Sequence, residues 1–483
     1  MTDHPHSAVA ARADADLATE VRRLLPEIRA GLEALARIPS VGFPGFDPSH
    51  VRRSAEATAE LFRAAGVEDV RILSVAGGHP AVVARKPVPP GAPTVLLYAH
   101  HDVQPPGDEA EWDSPPFEPT QRGDRLYGRG VADDKAGVAA HLAAIRAHGD
   151  ALPVGVTVFV EGEEECGSPT LGLFLSEHRD LLAADVIVIA DSTNWAVGQP
   201  ALTTSLRGFV DCHVEVRTLR QGVHSGAFGG PAPDALTTLC RLLATLHDER
   251  GEVAVAGLVT AGPSKVDMTE EQFRHESGLL DGVSLIGSGS IAERIWNKPA
   301  VSVIGIDCPS VKNASNTLIA AARAKVSMRV APGQQVAPAM RALLDHLVEH
   351  APWGVTVTVT PGESGAPYAI DASGPAYDAA REAFREAWDG VNPVDIGLGG
   401  SIPFIAAFAT MFPQASMLVT GVEDPLSQAH GVNESLHLGE FARVCVAEAL
   451  LLAKLGRQVG AASHAGGAAP SSGQAAAPPG LAG

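Results

Sequence analysis

Three β-branched runs constrain this chain more than any other feature. VLLYAH (Val95 to His100), VTVFVEG (Val156 to Gly162) and VIVIAD (Val186 to Asp191) are apolar without alternation, so each strand must be covered on both faces. A helical pattern, Ala136 to Ala147, lies between two of them. Strands buried on both sides with helices between them specify an α/β layered sheet, and ligands of such sheets gather at the carboxyl ends of the strands. Each of the three runs ends on a metal-ligand or catalytic-acid type of residue.

After Leu206 the pattern changes. FVDCHVEV alternates, Ala232 to Glu249 reads as a helix, VSVIGI and AARAKVSMRV as strands, Val336 to His350 as a helix and VTVTVT as a strand. That order is the split βαβ layout of a small α+β module. The helical pattern from Pro375 to Trp388 then resumes the first style. The expected architecture is a discontinuous α/β catalytic domain with a mostly parallel sheet (residues 15–207 and 363–456), an inserted α+β lid and dimerisation domain (208–362) and a disordered tail (457–483), with the first dozen residues frayed.

Charge narrows the partners. With 36 Lys+Arg against 56 Asp+Glu the formal net charge is −20, which opposes nucleic acid and anionic membranes. The five cysteines are scattered with no C-x-x-C pair, no apolar run reaches membrane-spanning length, and the first residues carry acids where a secretory leader needs bases. These features predict a cytoplasmic protein.

Candidate chemistry collects at five places. His100 and Asp102 in YAHHDVQP are two apart on an extended segment, so both side chains leave one face. Asp133 and Asp134 precede a helix, where either reads equally as its N-cap. Glu164 and Glu165 in EGEEECGS follow a buried strand and, being adjacent, point to different sides, so that one can ligate while the other stays free as a base. Asp191 ends VIVIAD, and His430 lies far downstream in SQAHGVNES. His100, Asp133, Glu165, Asp191 and His430 supply two imidazoles and three carboxylates, a set suited to a pair of divalent ions such as zinc or manganese.

YAHHDVQP, YGRGVADDKAG, EGEEECGS, VIVIADSTNW, GVHSGAFGG and GLGGSIPF, in this order, resemble the co-catalytic metallopeptidase family of carboxypeptidase G, aminoacylase and succinyl-diaminopimelate desuccinylase. The D-V-Q-P, W-D-S-P-P-F and H-S-G-x-x-G-G segments look closest to its carnosinase and cytosolic nonspecific dipeptidase branch. The resemblance implies that His100 and Asp191 bind one ion, Glu165 and His430 the other, and Asp133 both. It implies Glu164 as general base, Asp102 as the acid that orients His100, His224 as a substrate-carbonyl donor reaching across a homodimer, and Arg329 and Ser401 as substrate-binding residues. Zinc is the expected ion, with manganese or cobalt as substitutes. Two departures stand out: His101 replaces an apolar residue and could compete for metal, and Cys166, behind the glutamates, could sensitise the site to oxidation.

The implied reaction is hydrolysis of a dipeptide, or short peptide with a free carboxyl end, through a hydroxide shared by two metal ions. Removal of an N-acyl or N-succinyl group from an amino acid is the alternative within the same site. A non-catalytic metal-binding dimer is the alternative outside catalysis.

Overall fold

A computed structural model describes residues 5–400 and 403–465. The three β-branched runs form adjacent parallel strands, Gly155–Glu161, Thr94–His100 and Val186–Ile189, at the centre of a nine-stranded sheet. Side chains alternate between two apolar layers. Val95, Leu97 and Ala99 pack with the long helices Pro5–Ala36, Lys135–His148 and Leu438–Ala465, while Leu96 and Tyr98 pack with Leu171–Glu177 and Pro403–Met411. Burial on both sides is why the runs are continuous.

The sheet is mixed rather than mostly parallel. Its parallel centre extends through Ser416–Val419, but Asp69–Leu73 and Ala81–Lys86 add antiparallel strands on one side, and Ala201–Leu206 turns against Ser416–Val419 on the other. Parallel pairing needs a long crossover. The short 74–80 connection between the first two strands can only make a hairpin.

A second sheet, entirely antiparallel, runs in the order Ala300–Asp307, Ala321–Val330, Gly208–Arg217 and Thr356–Gly365. Helices Ala235–Ala244 and Val336–Glu349 cover one face around Val214, Val326, Leu239 and Leu343. Its last strand runs past the expected boundary at 362 to Gly365. Asp234 caps the first of these helices through the Thr237 amide, so it starts later than Ala232, and it stops at Ala244.

Both chain ends are more helical than expected. The first helix begins at Pro5 and the last continues through Arg457 to Ala465. Asp14 explains much of this: it accepts hydrogen bonds from Arg457 and Lys454 and so ties the two helices together. Residues 466–483 of the expected tail lie outside the described residues. Among the described residues no helix is long and apolar enough to cross a membrane.

Candidate metal centre

The carboxyl ends of the central strands carry the candidate site. His100 is the last residue of its strand and fully buried. Its Nδ1 lies 3.1 Å from the Asp102 carbonyl and 3.5 Å from Asp102 Oδ1, which leaves Nε2 facing Asp133 Oδ1 at 3.0 Å, with Asp191 and Glu164 each at 4.0 Å. A partner on one ring nitrogen fixes the tautomer that frees the other. Asp102 also accepts from the Glu164 and Glu165 amides at 3.2 and 3.1 Å, so one carboxylate positions both glutamates.

The two neighbouring aspartates divide the roles that sequence left open. Asp134 caps the Lys135–His148 helix through the Gly137 amide, while Asp133 faces the cluster. Asp133 Oδ2 is 3.1 Å from His430 Nε2, which is 3.2 Å from Glu165 Oε2. Two ligand groups result: His100, Asp133 and Asp191, and Asp133, Glu165 and His430. Within each, candidate ligand atoms lie within 4.8 Å of one another, and Asp133 belongs to both.

This much acid in one buried place is electrostatically expensive. Burial pushes Asp191 up to about 6 and Glu165 up to about 7, and lifts Glu164 well above the carboxylate range with help from Asp191. His430 is drawn up to about 11 by its hydrogen bonds to Asp133 and Glu165. Oxygen and imidazole donors that repel one another until a cation joins them fit a pair of divalent ions.

Three supporting residues were not singled out in the sequence. Gln104 donates to Glu165 twice, from its backbone amide to Oε1 at 3.0 Å and from Nε2 to Oε2 at 2.7 Å. Glu434, fully buried, accepts from the Gly130, Ala132 and Asp133 amides and from Arg129. Arg129 in turn donates to the carbonyls of His430 and Gly431. That grip holds His430 in the left-handed region, φ 64°, which a histidine adopts at a cost. Arg129 and Glu434 each lie within a few residues of a candidate ligand, and that proximity was the only available signal. Nearby, a Cβ at Gly421 would overlap the Ser192 carbonyl, so only glycine lets the segments behind Asp191 and His430 touch.

The two departures do not disturb the cluster. His101 points away, with Nε2 2.9 Å from the Pro80 carbonyl, and burial holds it down at about 4, so it is neutral and engaged elsewhere. Burial pushes the Cys166 thiol up to about 12, which suppresses the thiolate that oxidation and soft metals require. His224 and Arg329 are not brought to the cluster within this chain. His224 is exposed on the second body, where its Nδ1 accepts from the Gly226 amide; Arg329 is half-buried on that body's sheet. Ser401 lies outside the described residues.

The model of peptidase family M20/M25/M40 matches residues 96–454. The chain belongs to this family. It is similar, at 35% identity over 90% of this chain and 97% of the relative, to the cysteinylglycine-S-conjugate dipeptidase of Corynebacterium striatum. It is 28% identical to the Beta-Ala-His dipeptidase of Mus musculus, over 81% of this chain and 82% of the relative. Among solved structures, the dipeptidase Dug1p of Saccharomyces cerevisiae superimposes with a TM-score of 0.78 at 23% identity, covering 92% of this chain and 98% of that one, which supports the fold.

Proposed function

We propose that this protein is a metal-dependent dipeptidase. The observation that carries the reading is Asp133, shared by two ligand groups with Glu164 beside them, in a chain whose 35% identical relative is a dipeptidase. Two divalent ions, zinc in this proposal, are held by His100, Asp133 and Asp191 and by Asp133, Glu165 and His430. Bound there, they lower the pKa of water and polarise the scissile carbonyl. Glu164 takes the proton from the attacking water and returns it to the leaving amine; its raised pKa in the ion-free site suits a group that must hold a proton in passing. Asp102 keeps His100 in the ligating tautomer. His224 donates to the developing oxyanion, a contact worth about 3 to 4 kcal/mol in comparable sites. Arg329 and Ser401 bind the carboxyl end and backbone of the peptide.

The catalytic unit in this reading is 15–207 with 363–456, and the 208–362 insertion is a lid that pairs two copies. Support comes from the strand Ala300–Asp307, an outer edge of the second sheet on which Val303, Ile304 and Ile306 are 44, 59 and 46% exposed. An unpaired apolar edge is a template for another strand. It also lets the His224 of one copy serve the site of the other. The free state of all five cysteines supports a reducing, cytoplasmic setting.

The test is reconstitution of the metal-free protein with zinc, manganese or cobalt, followed by dipeptides beside N-acetyl and N-succinyl amino acids. Metal-dependent cleavage of the dipeptides alone is expected. Cleavage of the N-acyl compounds alone would reassign the chain as a deacylase.

A further inference from the structure

Arg207 lies between the two sheets, only 7% exposed, and no carboxylate among the described residues pairs with it. Both of its hydrogen bonds leave from Nη1, at 3.3 Å, to the carbonyls of Arg294 and Lys298. Nε is buried without a partner. Nη2 lies beside Gly399, two residues before Ser401, where a Cβ would come within 3.2 Å of it. The edge of the guanidinium that takes a carboxylate side-on, Nε with Nη2, is therefore unused.

A second cation stands nearby. Arg329 lies in register opposite Phe209, two residues beyond Arg207, with its guanidinium 5.7 Å from the Phe209 ring, and it too makes no ion pair among the described residues. Burial, and then the charge of Arg329, push Arg207 down to about 10. Two partly desolvated cations side by side are unfavourable until an anion joins them. A cavity of about 470 Å³ with Arg207 in its wall gives a solute room to reach it.

We propose that Arg207 joins Arg329 in holding the terminal carboxylate of the substrate, so that discrimination between a free and a blocked carboxyl end rests on a pair of arginines at the junction of the two bodies. The proposal rests on the dipeptidase reading. Arg207 makes the bidentate contact, and Arg329 adds charge from the opposing strand. Its backbone ties to Arg294 and Lys298 hold the fork in place before substrate arrives.

The experiment compares a dipeptide with the same dipeptide carrying a carboxyl-terminal amide, in the wild type, Arg207→Lys and Arg207→Met. Lysine keeps a charged donor for the two carbonyls but loses the fork, so a folded variant is secured. KM for the acid should rise about tenfold or more in Arg207→Lys, and further in Arg207→Met, with kcat and the amide's constants nearly unchanged. Equal losses on acid and amide would show a purely structural tie and overturn the proposal. Calorimetric binding of glycine against glycinamide to the metal-loaded proteins gives a readout independent of turnover. Preference for glycine that disappears in Arg207→Lys supports the site even if no dipeptide is cleaved, in which case the catalytic reading alone fails; absence of that preference in the wild type overturns the site.

Discussion

Glu164 differs from the acids around it in that its carboxylate accepts no hydrogen bond among the described residues; its nearest cationic atom is His100 Nε2 at 4.0 Å. Glu165, one residue on, is gripped by Gln104 and His430. A held carboxylate suits a ligand and a free one suits proton transfer. Glu164→Gln should therefore retain both metal equivalents by elemental analysis while kcat falls by about two to four orders of magnitude. Loss of metal along with activity would make it a ligand instead. Glu434 belongs to the opposite type, a buried charge with four donors. Glu434→Gln leaves the Arg129 guanidinium, 1% exposed, without its counter-charge, and should cost about 3 to 5 kcal/mol in denaturant unfolding. It should also lower metal occupancy, since the same carboxylate fixes the Asp133 amide. The ligands were legible because each ends a strand or stands beside one in a motif. Gln104, Arg129 and Glu434 were not, because a supporting contact between residues about 300 positions apart has no spacing to read.

Strand runs without alternation specified the centre of the sheet, since only burial on both faces tolerates them. The same reasoning could not see the antiparallel flanks, whose direction is set by connection length rather than by the strands themselves. Alternation located the second sheet, yet VSVIGID alternates poorly because in this chain it has no covered face beyond Val301. That irregularity is the sequence trace of an edge awaiting a partner. Ile304→Glu should leave the unfolding free energy of the monomer within about 0.5 kcal/mol, as expected for an exposed position, while light scattering reports a halved mass. An unchanged mass would place the contact elsewhere. With His224 acting across that contact, mixing His224→Ala with Glu164→Ala subunits should restore part of the activity in the wild-type edge background and none in the Ile304→Glu background.

Across the whole molecule, ion pairs rather than apolar contacts stitch distant segments together at the site's back. His141, fully buried, sets Nδ1 2.7 Å from Glu448 and Nε2 2.9 Å from the Tyr98 carbonyl, joining two helices to the central strand. Burial opposes its charge, but Glu448 outweighs burial and holds the imidazolium above its ordinary value. The folded chain thus binds this proton more tightly than the unfolded one. Its stabilisation is complete below about pH 6.5 and is lost as pH rises through the folded value. The melting temperature of the wild type should accordingly fall more steeply above pH 6.5 than that of Glu448→Gln, and parallel curves would remove the pair from the account. Chelation should lower the melting temperature at pH 7, where Glu165 and Asp191 would otherwise have to ionise beside one another in a buried place, and added zinc should restore it.

Asp133 is also a fact about time. The acids of the cluster leave the ribosome early, whereas His430 and the Glu434 that anchors the Asp133 backbone emerge only near the end of synthesis, after the whole second sheet has been made. Until then one ligand group can form and the other cannot. A nascent chain therefore holds a half-built site, and full metal loading becomes a step of maturation that follows translation.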